Sequence, residues 1–201
     1  MNVLEQIHER HLFGRRTRVL AELVAGQLPR QGRILDIGTG DGTIASLVAE
    51  LRPELELTGI DVQARQRTAI PVQRFDGLSI PFQDSSFGAC LLIDVLHHAE
   101  DPLQLLREAA RVAPVVVVKD HLADGVLARP ILRLMDRVGN ARHGVDLPYA
   151  YWCRSEWLRE TTRAGLLESE MSTEVPLYPV PLSWIFGRRL QFIARFVREE
   201  S

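Results

Sequence analysis

The sequence predicts an α/β protein built on a doubly wound, mostly parallel sheet. Three observations predict it. The apolar run Ile34-Leu35-Asp36-Ile37 stops at Gly38, Gly40 and Gly42, and a helical face follows at Ile44, Leu47, Val48 and Leu51. Strand, glycine turn and helix in that order bring backbone and a helix N-terminus close to a ligand. Further short apolar runs then alternate with helical patterns, the signature of a βαβ sheet. Lastly, Asp36, Asp61, Asp76, Asp94 and Asp120 fall at or near the ends of successive strand-like runs, where open sheets of this kind bind ligands.

The chain of 201 residues is long enough for one domain with a sizeable core. A hydrophobic fraction of 46% and a charged fraction of 25% are ordinary for a globular chain. With a net charge of −2, no global field draws it to nucleic acid or an anionic membrane. Cys90 and Cys153 make no disulfide framework, which suits a reducing, cytoplasmic setting. No apolar run is long enough to span a bilayer, and the N-terminus lacks the apolar region of a signal peptide. Nothing in the sequence sets an oligomeric state.

Taken in order, residues 1 to 30 read as two helical pieces, Leu4 and Ile7 marking the first and Val19, Leu20, Leu23, Val24 and Leu28 the second. His8 and His11 are expected to face solvent. Residues 31 to 121 form the expected binding core. Its second strand, Leu55 to Asp61, ends in an acid 25 positions after Asp36. In a nucleotide-binding βαβ unit such an acid accepts hydrogen bonds from ribose hydroxyls; the competing role is a helix N-cap. Val72 to Phe75 reads as the third strand, Cys90 to Ile93 as the fourth, and Asp101-Pro102 as the N-cap and first residue of a helix. Val115 to Val118 is β-branched throughout, as a central parallel strand should be.

Residues 122 to 152 are expected to be an insertion that covers the site; the alternative is that their helix simply packs on the core. They carry an apolar helical face at Ile131, Leu134, Met135 and Val138, arginines alongside, and Tyr149, Tyr151 and Trp152 at the entrance. Residues 153 to 201 complete the core: a helix capped by Ser155, a sixth strand from Leu166, an irregular stretch through Pro176, Pro179 and Pro181, and a last strand from Gln191 to Val197. One domain over 1–201 is the expectation.

The glycine spacing separates two cofactors. A dinucleotide fingerprint would place its last glycine at Thr43, and no P-loop Gly-Lys-Ser/Thr is present. The form Leu35-Asp36-Ile37-Gly38-Thr39-Gly40-Asp41-Gly42 instead resembles the first motif of class I S-adenosylmethionine (SAM)-dependent methyltransferases. Downstream, Asp76-Gly77, Ile80-Pro81-Phe82-x-Asp84-x-Ser86-Phe87 and Asp94-Val95-Leu96-His97-His98-x-x-Asp101-Pro102 resemble the "methyltransferase type 11" group. That group includes the ubiquinone and menaquinone biosynthesis enzymes. The resemblance covers about residues 33 to 120 and implies a Rossmann-like sheet of seven strands, the last inserted antiparallel beside the sixth. It implies SAM as cofactor, held by Asp36, Gly38, Thr39, Gly40, Gly42, Asp61 and Val62. Asp76 and Gly77 would lie at the adenine, and Ile93 and Asp94 near the methionine end.

The function read from these motifs is methyl transfer to a small, aromatic or apolar acceptor by SN2 displacement. The alternative is an inactive SAM-binding or interaction protein of the same fold. Nucleic-acid amino-methylation is disfavoured, because Asp94-Val95-Leu96-His97 stands where an Asn/Asp-Pro-Pro-aromatic motif would be. His121 is the first choice for general base and His98 the second, since neutral imidazole accepts a proton near pH 7. No metal is assigned. A rival use of Asp94, Asp120 and His121 would hold a divalent metal, as in catechol-type O-methyltransferases.

Overall fold

The computed structural model describes residues 3–63, 65–140, 151–177 and 189–199, with side chains from residue 14 and excluding 135–140. Seven strands form one sheet: β1 Gly32–Ile37, β2 Leu55–Asp61, β3 Val72–Arg74, β4 Ala89–Ile93, β5 Val115–His121, β6 Leu166–Ser172 and β7 Gln191–Arg198. Their order is β3-β2-β1-β4-β5-β7-β6. β1 to β5 pair in parallel, while β7 runs antiparallel to both β5 and β6. Chain order reverses between β1 and β4, so a crevice opens there at the strand C-terminal ends.

Alternation along each strand feeds two cores, one on each face. Val116 and Val118 of β5 pack with Leu35, Ile37 and Leu92 under helix α3, Pro102–Val112, and helix α5, Arg154–Arg163. Val115 and Val117 face the other way, with Ile34 and Leu91, onto α1, Val3–Gln27, and α2, Thr43–Leu51. Asp101 caps α3 as expected, its carboxylate accepting from the Gln104 N–H at 2.9 Å.

Three local expectations are corrected. Residues 3–27 form one helix rather than two pieces; a single glycine such as Gly14 weakens a helix by only about 1 kcal/mol and need not break it. The α5 cap is Cys153, not Ser155: the Glu156 carboxylate reaches back to the Cys153 N–H at 2.8 Å and starts the helix two residues early. β3 stops at Arg74, one residue short of Phe75. Helix α4, Ala128–Asn140, follows β5. The expected contributions of His8, His11, Met135, Val138, Tyr149, Pro179 and Pro181 lie outside the described residues or side chains. Among the described residues no helix is long and apolar enough to cross a membrane.

Candidate active site

The glycine turn after β1 is closed on itself. Gly38 N–H and Thr39 N–H both donate to the Ile60 carbonyl, at 2.8 and 3.2 Å, and Gly42 N–H donates to the Thr39 carbonyl at 3.0 Å. Gly40 N–H donates to Asp61 Oδ2 at 2.8 Å. Four N–H groups of the turn are thus engaged by β2 and by the turn itself. The glycines also serve close approach. At Gly38, with φ +72°, an added Cβ would meet Val95 Cγ2 at 2.6 Å, and at Gly42, with φ +76°, it would meet Ile70 Cγ1 at 2.8 Å.

A cavity of about 340 Å³ opens beside this turn. Of the predicted cofactor residues, Gly38, Asp61, Val62, Asp76, Gly77 and Asp94 line it; Asp36, Thr39, Gly40, Gly42 and Ile93 do not. Sequence reasoning missed the apolar walls, Phe75, Leu78, Val95, Ala99 and Leu105, and the acid Glu100. Asp61 also accepts from the Gln63 N–H at 2.7 Å. Asp76 Oδ1 accepts from the Ser79 and Leu78 N–H groups, at 2.7 and 2.8 Å, and these bonds hold the carboxyl below its usual range.

Asp36 sits beneath the turn, 3% exposed, and accepts from Thr39 Oγ1 at 2.5 Å. Burial pushes its pKa up to about 7; the Thr39 hydroxyl opposes the rise and the nearby Asp61 carboxylate adds to it. Asp94 stands on the far side in the left-handed region, with φ +56°. Its N–H donates to the Lys119 carbonyl at 2.8 Å, and its carboxylate meets Lys119 Nζ at 2.5 Å and Arg16 Nη2 at 3.3 Å. Burial opposes ionisation of Asp94, but Lys119, His121 and Arg16 together hold its carboxyl well below the usual range. Neither cation was predicted at the site. The buried end of a strand otherwise built of valines is the signal at Lys119; Arg16 left none.

The histidines divide between two places. His98, in the 3-10 turn Leu96–His98, lines the cavity. His97 and His121 lie in the core behind it, and so does Tyr151, which was expected at the entrance. His97 Nδ1 is 2.6 Å from Asp120 Oδ1. Ring centroids stand 4.6 Å apart for His97 and His121 and 5.9 Å apart for His121 and Tyr151. His121, the first choice for base, is thus not brought to the cavity. Trp152 packs edge-on to Trp157, at 4.8 Å between centroids, instead of facing the entrance.

Residues 35–114 match the family model described as a methyltransferase domain. Over that stretch the chain is similar to the type 11 methyltransferases. The chain is 32% identical over 108 residues to the 27-O-demethylrifamycin SV methyltransferase of Amycolatopsis mediterranei, covering 46% of this chain and 39% of that protein. It is 31% identical over 87 residues to the demethylmenaquinone methyltransferase of Thermotoga maritima, covering 40% of this chain and 38% of that protein. The matches thus span about two fifths of the length of these curated relatives. In fold, the chain superposes on a Thermotoga maritima SAM-dependent methyltransferase with a TM-score of 0.67 at 19% identity, over 98% of this chain and 96% of that one.

The cavity beside the glycine turn fits SAM on three counts. Its volume falls in the range of small-molecule sites, roughly 300–1,000 Å³. Gly38 brings bare backbone to its wall beside Val95, where an added Cβ would meet Val95 Cγ2 at 2.6 Å. The charged residues lining it are Asp61, Asp76, Asp94 and Glu100, which suits a cationic ligand; the nearby cations Lys119 and Arg16 are engaged by Asp94.

Proposed function

We propose that the chain is a SAM-dependent methyltransferase acting on a small, aromatic or apolar acceptor. The observation that carries this reading is the acid-lined cavity at the β1/β4 switch point, within the residues that match the methyltransferase family. When bound there, SAM would supply a methyl group activated on a sulfonium, with S-adenosylhomocysteine as the leaving group. Asp61 would take the ribose hydroxyls with the lone pairs left over from Gly40 and Gln63, since a carboxylate offers about four acceptor sites. Asp76 and Gly77 would hold the adenine end, and Asp94, fixed by two cations, the methionine end.

Much of the protein's contribution is alignment and exclusion of water. Phe75, Leu78, Val95 and Leu105 give the cavity apolar walls, which favour an apolar acceptor. The names of the two curated relatives, a rifamycin and a menaquinone methyltransferase, support the same acceptor class. His98 replaces His121 as the proposed proton acceptor, because His98 lines the cavity and His121 does not. A small-molecule acceptor, a cytoplasmic setting and a single domain complete the reading.

The test is transfer of labelled methyl from SAM across a panel of phenols, hydroquinones and aliphatic alcohols. Product that depends on the protein supports the reading. SAM binding without turnover on any acceptor would favour a binding protein of this fold.

A further inference from the structure

Behind the cavity, three donor side chains converge in the core. His97, Asp120 and His121 are 3%, 0% and 5% exposed, and one possible ligand atom from each lies within 4.8 Å of the others. The group is not a finished hydrogen-bond network. Asp120 Oδ2 and His121 Nδ1 are buried and find no hydrogen-bond partner among the described residues. Buried polar atoms without partners are rare and point to a water, an ion or a chemical role. Gln191 pairs with His121 in register across β5 and β7, is 4% exposed, and has both amide atoms in the same condition.

We propose that His97, Asp120 and His121 hold a divalent transition-metal ion of the Zn2+ type at the ends of β4 and β5. Two imidazoles and one carboxylate are a donor set for Zn2+ and its neighbours in the first transition row; Mg2+ prefers oxygen alone. Three protein ligands leave a fourth position open. Trp157 Nε1, from outside the cluster, donates to the His121 backbone carbonyl at 3.0 Å, and within it the His121 N–H donates to Asp120 Oδ1 at 2.7 Å. His121 Nδ1 is 3.3 Å from that same oxygen. This is not the Asp94, Asp120 and His121 set read from the sequence: Asp94 is held by Lys119 and Arg16, and His97 takes its place.

The proposal stands apart from methyl transfer and is tested without it. Tag-free protein stripped with EDTA and desalted is titrated with Co2+, then with Zn2+. The expected result is one equivalent of Co2+ with visible ligand-field bands, displaced by Zn2+, and a rise in Tm with either ion. His121→Gln and Asp120→Asn should each weaken binding at least about tenfold, since even outer-shell changes at metal sites cost 10- to 100-fold. Circular dichroism reports whether the variants fold. Independently of them, Co2+ should broaden the imidazole NMR signals of His97 and His121 in the wild-type protein. No binding at micromolar metal, unchanged binding in both folded variants, or broadening confined to other histidines would overturn the site.

Discussion

Gly38 shows how a single missing atom shapes the cavity. Its φ of +72° disfavours any side chain, and a Cβ there would strike Val95 at 2.6 Å. Gly38→Ala is therefore expected to cost about 2–4 kcal/mol, the left-handed penalty plus overpacking. Urea denaturation measures it, and a cost below about 0.5 kcal/mol would remove the steric account. Asp36 carries a pH signature of its own. Its carboxyl is raised from 3.8 to about 7 in the folded protein, so the folded state keeps a proton that the unfolded chain releases. Its contribution to stability is present below about pH 4 and is lost as pH rises toward 7. The full swing is on the order of 4 kcal/mol. Asp36→Asn should flatten the fall in stability between pH 4 and 7, as read from denaturation midpoints at each pH. Asp94 and Asp120 act in the opposite sense and lower down. Their carboxyls are depressed, so the stability they confer is present above about pH 4 and is lost under stronger acid.

At the scale of elements, Asp94 joins three pieces of the chain: the end of β4, β5 through Lys119, and α1 through Arg16. Lys119 is fully buried. Removing its carboxylate leaves a buried ammonium uncompensated, so Asp94→Ala should destabilise the fold by about 3–5 kcal/mol. Lys119→Met with Asp94→Leu should recover much of that loss, because a buried ion pair replaced by apolar groups is often nearly neutral. Denaturation of the single and double variants checks both; a double variant no more stable than Asp94→Ala would contradict the pairing. The 3-10 turn Leu96–His98 places its two histidines differently, His98 on the cavity wall and His97 in the core. With an accepted substrate, His98→Ala should lower turnover by about 10²–10⁴-fold and leave SAM affinity nearly unchanged. Undiminished turnover in that variant would remove His98 as the proton acceptor.

Across the whole molecule, the sheet was legible because its signals are local. β5 is β-branched and apolar, β1 runs into its glycine turn, and each strand meets its helix within a few residues. The antiparallel β7 came from the family resemblance and is present in the structure. Half of the site was legible for the same reason: Asp61, Asp76 and Gly77 follow strands that the pattern already locates. What the sequence hid depends on direction or on distance along the chain. No local pattern says that His121 turns into the core while His98 faces the cavity, or that the Gly38, Thr39 and Gly40 amides donate to β2. Arg16 reaches Asp94 across 78 positions. The central claim is that the cavity at the β1/β4 switch point is a SAM site. Isothermal titration of SAM into the wild-type protein and Asp61→Ala tests it most directly. The account predicts one site in the wild type and a loss of about 1–3 kcal/mol in the variant, the cost of a charge-assisted hydrogen bond. No SAM binding at millimolar concentration, or equal affinity in the two proteins, would contradict it.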